Sequence, residues 1–274
     1  MKRIGNLYEK VCSIENLQLA DEKARKGKLR TYGVIEHDKK REVNLLKLRE
    51  TLLNGTFHTS KYDVFTIYEP KEREIYRLPY FPDRILHHAI MNVLEPIWVS
   101  TFTADTYSCI KNRGIHAAAK KVKQALREDP EGTTFCLKLD IRKFYPSINH
   151  DVLKSILRRK LKDKRLLRLL DEIIDSADGV PIGNYLSQYF ANLYLTYFDH
   201  WIKEQKRVKH YFRYADDIVI LASDKSYLHS LMGEIRAYLG DLKLEVKGNW
   251  QVFPVAARGI DFVGYVFFHT HTRM

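Results

Sequence analysis

Cysteine is scarce: Cys12, Cys109 and Cys136 are the only three in 274 residues, far apart and never in a CxxC or CxxxH spacing. That pattern excludes a disulfide framework and a zinc knuckle, and the three thiols read as small buried apolar groups in a reducing compartment. No apolar run approaches the roughly 18 residues that span a bilayer. The first twenty residues are polar and charged without an apolar centre, so no signal peptide is expected, and the chain reads as intracellular and cytoplasmic. Internal repeats and low-complexity tracts are missing too. Acidic charge is in deficit: 34 Asp and Glu stand against 46 Lys and Arg, a formal net charge of +12. A polyanionic partner is expected, with a generally basic enzyme as the blander alternative. What is present, 45% apolar and 29% charged residues, is enough for one large domain or two subdomains.

Spaced apolar positions predict a helix over residues 14–28 that closes at Gly27 in a basic patch, and another from Glu42 to Leu53, stopped by Asn54-Gly55. Residues 63–68 and 73–79 read as the strands of a hairpin turning at Glu69-Pro70-Lys71, with helix resuming over 83–94. From Asp151 to Asp175 the period is helical with a break near Asp163. Between Lys154 and Arg168, eight Lys or Arg accompany one Asp, which suits either a phosphate-tracking face or a solvated one. An aromatic-rich helix is predicted over 185–201.

Two stretches place carboxylates where apolar residues would be cheaper. His210-Tyr-Phe-Arg-Tyr-Ala-Asp-Asp-Ile-Val-Ile-Leu-Ala222 reads as two short strands joined by a tight turn at Ala215-Asp216-Asp217. By itself an Asp-Asp pair is more often turn chemistry than catalysis. The second stretch, Phe135 to Asp140, alternates so that Cys136, Lys138 and Asp140 share one strand face, and it ends on a carboxylate that is costly to desolvate alone. Were Asp140 brought beside Asp216, two charges about 4 Å apart would repel by roughly 4 kcal/mol at an effective dielectric near 20. Divalent metal removes that penalty, and two-metal phosphoryl transfer uses such hard oxygen ligands.

An ordered series of motifs accompanies these aspartates: Ile75-Tyr-Arg77 with Asp83-Arg84, Tyr107-Ser-Cys-Ile-Lys-Asn-Arg-Gly114, Leu139-Asp140-Ile-Arg-Lys-Phe-Tyr145, Pro181-Ile-Gly-Asn-Tyr-Leu-Ser-Gln188, Tyr214-Ala-Asp-Asp217, Leu242-Lys-Leu-Glu-Val-Lys247 and Gly259-Ile-Asp-Phe-Val-Gly-Tyr265. The series resembles that of reverse transcriptases, from about residue 14 to the C-terminus. Most of that family carry Gln-Gly and then Ser-Pro where this chain has Ile182-Gly183 and Ser187-Gln188. That departure, with the segments Ala20 to Lys28 and Lys247 to Val255, resembles the reverse transcriptases of diversity-generating retroelements; group II intron, retron and retroviral relatives would be expected to keep Gln-Gly.

The resemblance implies an α+β right-hand polymerase with fingers and palm, an antiparallel palm sheet backed by helices, and no residues left for a thumb. Its implied domains are an N-terminal extension and fingers over 1–134, palm over 135–149, a fingers helical segment over 150–182, palm over 183–269, and the start of a missing thumb over 270–274. Asp140 and Asp216 are implied as metal ligands with the Ile141 carbonyl, while Asp217 either ligates or stabilises the turn. The implied cofactor is a pair of Mg²⁺ ions, with Mn²⁺ as a substitute. Tyr145 matches the family's steric gate against a ribose 2′-hydroxyl, with core packing as its alternative. Lys71, Arg77 and Arg84 are implied in clamping the triphosphate, Arg84 equally as an ion-pair partner. Ile182, Gly183 and Gln188 lie by the nucleotide or template base, and Lys111 and Arg113 on the template backbone or simply at the surface. Lys247 is implied as general acid towards pyrophosphate, with a solvated lysine as the alternative. Implied partners are template RNA, cDNA product, dNTPs and a basic helical accessory protein, with no membrane, in a bacterial, phage or archaeal host. The implied activity is RNA-directed DNA polymerisation, error-prone at template adenines, for mutagenic retrohoming. A retron or phage-defence enzyme and a catalytically idle RNA-binding scaffold are the alternatives.

Overall fold

The computed structural model describes residues 3–68 and 72–274, so the expected turn at Glu69-Pro70-Lys71, Lys71 included, lies outside the described residues. The chain forms two compact units, Met1–Ser100 with His150–Phe190, and Thr101–Asn149 with Ala191–Met274.

In the first unit the helix Ile14–Ala24 ends before its expected limit, and Gly27 at φ 72° carries a turn in which the Lys28 N–H bonds to the Arg25 carbonyl at 2.9 Å. Asp21, fully buried on that helix, accepts hydrogen bonds from Arg25, Arg41 and Tyr80. The helix Arg41–Asn54 stops at Gly55, whose φ of 67° an L-residue rarely adopts, as its sequence predicts. Strands β1 (Asp63–Tyr68) and β2 (Glu72–Arg77) pair antiparallel with Asp63 opposite Arg77, and the helix Ile85–Val99 follows. The expected break at Asp163 is a cap. Its carboxylate accepts from Leu166 N–H at 3.2 Å at the head of the helix Lys164–Ile174, and from Leu7 N–H at 2.7 Å and Tyr8 N–H at 3.0 Å. The basic run around it is partly neutralised: Lys154 pairs with Asp175, Arg158 with Asp171 and Arg165 with Glu9.

The second unit is built on a four-stranded antiparallel sheet in the order β4-β5-β3-β6, from β3 (Phe135–Asp140), β4 (His210–Tyr214), β5 (Asp217–Ala222) and β6 (Gln251–Pro254). The helix Lys225–Asp241 packs its buried Leu228, Leu231, Ile235 and Leu239 along this sheet. Residues 101–134 belong to this unit, where Ala118, Val122 and Leu126 of the helix Ile115–Glu128 share one core with Phe212, Val219 and Leu221. Residues 183–190 fall in the first unit, at the head of the helix Tyr185–His200. The segment 262–268 forms part of a second antiparallel sheet, β7 (Ile260–Phe262), β8 (Tyr265–Phe267) and β9 (Thr272–Arg273), whose Ile260, Phe262 and Phe267 enter that same core.

The turn between β4 and β5 is tighter than its sequence predicts. Tyr214 pairs with Asp217, leaving only Ala215 and Asp216 in the loop, so Asp217 is the first residue of β5. Ala215 has φ 55°, a conformation that costs about 1–2 kcal/mol for an L-residue. It is held from below: fully buried Arg213 donates from Nη1 to the Ala215 carbonyl at 3.0 Å. That guanidinium is itself fixed by fully buried Asp199, through Nε at 2.7 Å and Nη2 at 2.6 Å, and Asp199 also accepts from Tyr211 Oη at 2.6 Å and Thr106 Oγ1 at 3.1 Å. Removing one partner of a buried pair strands the other's charge, so Arg213→Met should lower unfolding stability by about 3–5 kcal/mol, while Arg213→Met with Asp199→Leu recovers part of the loss. Urea denaturation measures both; equal losses in the single and double variants would show that the buried charge is not the cause.

Candidate active site

Three carboxylates gather at one end of the sheet. Asp140 ends β3 directly opposite Asp217 on β5, and Asp216 precedes it in the turn. Like charges opposite one another on paired strands are destabilising, and here each strand-end aspartate has a lysine. Lys247 lies with Nζ 2.6 Å from Asp140 Oδ1, while its own N–H bonds to the Asp140 carbonyl at 2.8 Å. Lys138, two residues before Asp140 on β3, donates to Asp217 Oδ2 at 2.9 Å and reaches across to the Asp261 carbonyl. The other oxygen, Asp217 Oδ1, is buried; the same ammonium is 2.9 Å away but outside hydrogen-bonding geometry, so this atom has no hydrogen-bond partner. Burial raises the Asp217 carboxyl above its ordinary range against the pull of Lys138.

Asp216 carries the unbalanced charge. Burial first, and then the neighbouring Asp140 charge, push its carboxyl up to about 6, with Lys247 acting in the opposite direction. Tyr145, just beyond Lys143 at φ 44°, packs edge-on against Phe144 at 5.6 Å; burial and then the nearby Cys109 and Asp216 push its hydroxyl up. Ile141 is fully buried and bridged to Val246, which ties the end of β3 to the Lys247 segment. Arg113 donates to the Thr103 carbonyl at 2.7 Å within the second unit, and Lys111 is exposed.

The first unit holds a different charge cluster. Lys28, Arg77, Arg84 and Gly183 line a pocket of about 190 Å³. Arg77 pairs with Asp63 and lies over the Phe65 ring at 5.5 Å. Arg84 makes no side-chain hydrogen bond or ion pair among the described residues, and burial lowers its basicity. The charge of Arg84 and then burial lower that of Lys28. Lys28 and Arg84, gathered without a carboxylate partner among the described residues, are an arrangement that takes an anion. Gly183 has φ 113°, and a Cβ there would meet the Tyr76 carbonyl at 3.0 Å, where the Ile182 carbonyl accepts from Tyr76 N–H at 2.9 Å. Its glycine is thus required by the close approach of β2. Gln188 is exposed on the helix beyond and does not line the pocket.

Residues 69–267 match the family described as reverse transcriptase (RNA-dependent DNA polymerase). The chain belongs to this family. Among curated proteins it is 26% identical to protein YkfC of Escherichia coli K12, over 84% of this chain and 73% of that protein. It is 23% identical to the group II intron-encoded protein LtrA of Lactococcus lactis subsp. cremoris, over 64% of this chain but only 31% of LtrA. A solved telomerase from Candida tropicalis, in complex with a fragment of telomeric RNA, has the same fold over 77% of this chain and 44% of its own, with a TM-score of 0.56 at 14% identity.

Reverse transcriptases use divalent metal ions. Among the described residues no group of three or more His, Cys, Asp or Glu is arranged to hold a metal, so the three aspartates do not form a ready cage. The donors fit a hard cation more sparingly: Asp216 is crowded by Asp140 with no cation of its own, and Asp217 Oδ1 accepts no hydrogen bond. An octahedral ion that keeps waters needs no more than one or two such carboxylates.

In the sequence Lys138 is marked only as a face-mate of Asp140 and Lys28 only as the end of a basic segment. The groups they meet, Asp217 for Lys138 and Arg84 for Lys28, lie far along the chain, so spacing carries no signal for either; Arg213 and Asp199 sit on different elements. Because folded Asp216 holds its proton more tightly than the unfolded chain, it favours folding fully below about pH 4, and that contribution is lost as pH rises through about 6. In EDTA, wild-type stability relative to Asp216→Asn should rise as the pH is lowered through that window. A flat difference in melting midpoint would show that Asp216 is not crowded.

Proposed function

We propose that this chain copies RNA into DNA, joining a primer 3′-hydroxyl to the α-phosphorus of a dNTP and releasing pyrophosphate. The observation that carries this reading is the crowded pair Asp140 and Asp216 at the sheet end, with Asp216 raised to about 6. Two Mg²⁺ ions, held by Asp140 and Asp216 with the Ile141 carbonyl and Asp217, would supply Lewis-acid activation of the hydroxyl and charge stabilisation at the leaving group. The chain's own groups do the rest. Lys247, an ammonium already poised at Asp140, gives a proton to the departing pyrophosphate as the phosphodiester forms and the phosphoanhydride breaks. Lys28, Arg77 and Arg84 bind triphosphate oxygens, the guanidiniums through their rigid fork. Tyr145 excludes the ribose 2′-hydroxyl.

Primer extension on an RNA template with Mg²⁺ tests this. Asp216→Ala should lose about 10³-fold or more in rate. Lys28→Gln should raise the dNTP KM about tenfold with kcat little changed, as expected for a lost charged contact to the ground-state triphosphate. No extension by the wild-type chain would leave an RNA-binding scaffold in its place.

The finer reading is the reverse transcriptase of a diversity-generating retroelement, acting with a template RNA and a basic helical accessory protein in mutagenic retrohoming. It is supported by Ile182 and Ser187-Gln188, where an apolar side chain replaces an amide beside the nucleotide segment. An Ile offers shape but no hydrogen bond, so a mispaired base is rejected less strongly. The curated relatives, which include a group II intron-encoded protein, favour a second reading as an intron-type enzyme. Misincorporation opposite template adenine decides: Ile182→Gln should lower it several-fold, and an unchanged error rate removes the side chain's role.

A further inference from the structure

The second unit contains a groove of about 1110 Å³ between the helix Ile115–Glu128 and the segment 268–272 that follows β8. None of Asp140, Asp216, Asp217, Lys138 or Lys247 lines it. Five permanent cations do, among them Lys120, Lys123 and Arg127, and among the described residues no Asp or Glu does. His116, Lys120, Lys123 and Arg127 recur at helical spacing, so they form one exposed stripe about 16 Å long at 1.5 Å per residue. The same helix turns Ala118, Val122 and Leu126 into the core, so its two faces are fully divided. Lys120 and Lys123 make no hydrogen bond or ion pair among the described residues; Lys123 lies 5.9 Å from the Tyr265 ring. On the facing wall Phe268 stacks on His271, centroids 4.5 Å apart and planes 9° from parallel, and His271 is exposed at the end of that stack.

We propose that this groove binds single-stranded RNA, with the lysine and arginine stripe on its phosphates and an unstacked base laid on His271. Charge alone would suit any polyanion; a ring stack facing the stripe selects a strand whose bases are free to stack, which a duplex does not offer. That the strand is RNA rests on the polymerase reading above, while the groove itself does not.

The test is fluorescence anisotropy of the full chain with a short unstructured oligoribonucleotide, in EDTA and across a salt series. For a variant carrying K120Q, K123Q and R127Q, the slope of log K against log salt should fall by about 2, three phosphate contacts at about 0.7 each. His271→Ala should weaken binding about tenfold and leave the slope unchanged. Melting midpoints confirm folding, since all four side chains are exposed. An unchanged slope in the triple variant overturns the proposal, as does a duplex RNA that binds as tightly as the single strand. Stripe-dependent binding by a chain that extends no primer supports the groove and sinks the polymerase reading alone.

Discussion

Crowding of like charge at one sheet end is the constraint around which the second unit is arranged. Register sets Asp140 against Asp217, and a two-residue turn adds Asp216 beside them. Each lysine answers one strand-end carboxylate, and none answers Asp216 directly. The remaining imbalance appears as a carboxyl that keeps its proton to about pH 6. Such a site is stable only if something else prevents the turn from relaxing. The Arg213 and Asp199 pair does that, fully buried and satisfied on nearly every side, with one guanidinium nitrogen spent on the Ala215 carbonyl. The strained turn and the excess negative charge are therefore maintained by the same buried cation.

The first unit applies the opposite sign by the same means. Lys28 and Arg84 lie close enough for one to depress the other's basicity, and neither has a carboxylate partner among the described residues. Arg77, by contrast, already holds Asp63, so an incoming phosphate must compete with that carboxylate. Unpaired charge kept in place by the fold marks where a ligand gains most, because the protein has left the compensating interaction unmade.

Much of this was legible in the sequence, and the boundary has a physical cause. The helix stop at Gly55, the helix break near Asp163 and the hairpin strands on either side of Asp216 depend on local backbone preferences, which a short stretch of residues states in full. The aspartates themselves were conspicuous because a carboxylate in an apolar strand is a local anomaly. What could not be read were pairings across long separations: Lys138 with Asp217, Lys247 with Asp140, and Arg213 with a helix-end Asp199. The helix Ile115–Glu128 is a like case, since its sequence shows an apolar face but not the sheet that covers it.

Net charge misleads in a similar way. The densest basic run lies between Lys154 and Arg168, yet Asp171, Asp175 and Glu9 return to three of its cations and reduce what it can offer a polyanion. The helix Ile115–Glu128 has a less conspicuous sequence, but its stripe faces a groove with no acidic lining among the described residues. A phosphate backbone gains from a cation only the interaction that the protein has not already made, so the count that matters is of unpartnered charge on one face. On the helix Ile115–Glu128, Lys120 and Lys123 keep that interaction unmade among the described residues, while Arg127 has only the exposed Glu128 beside it.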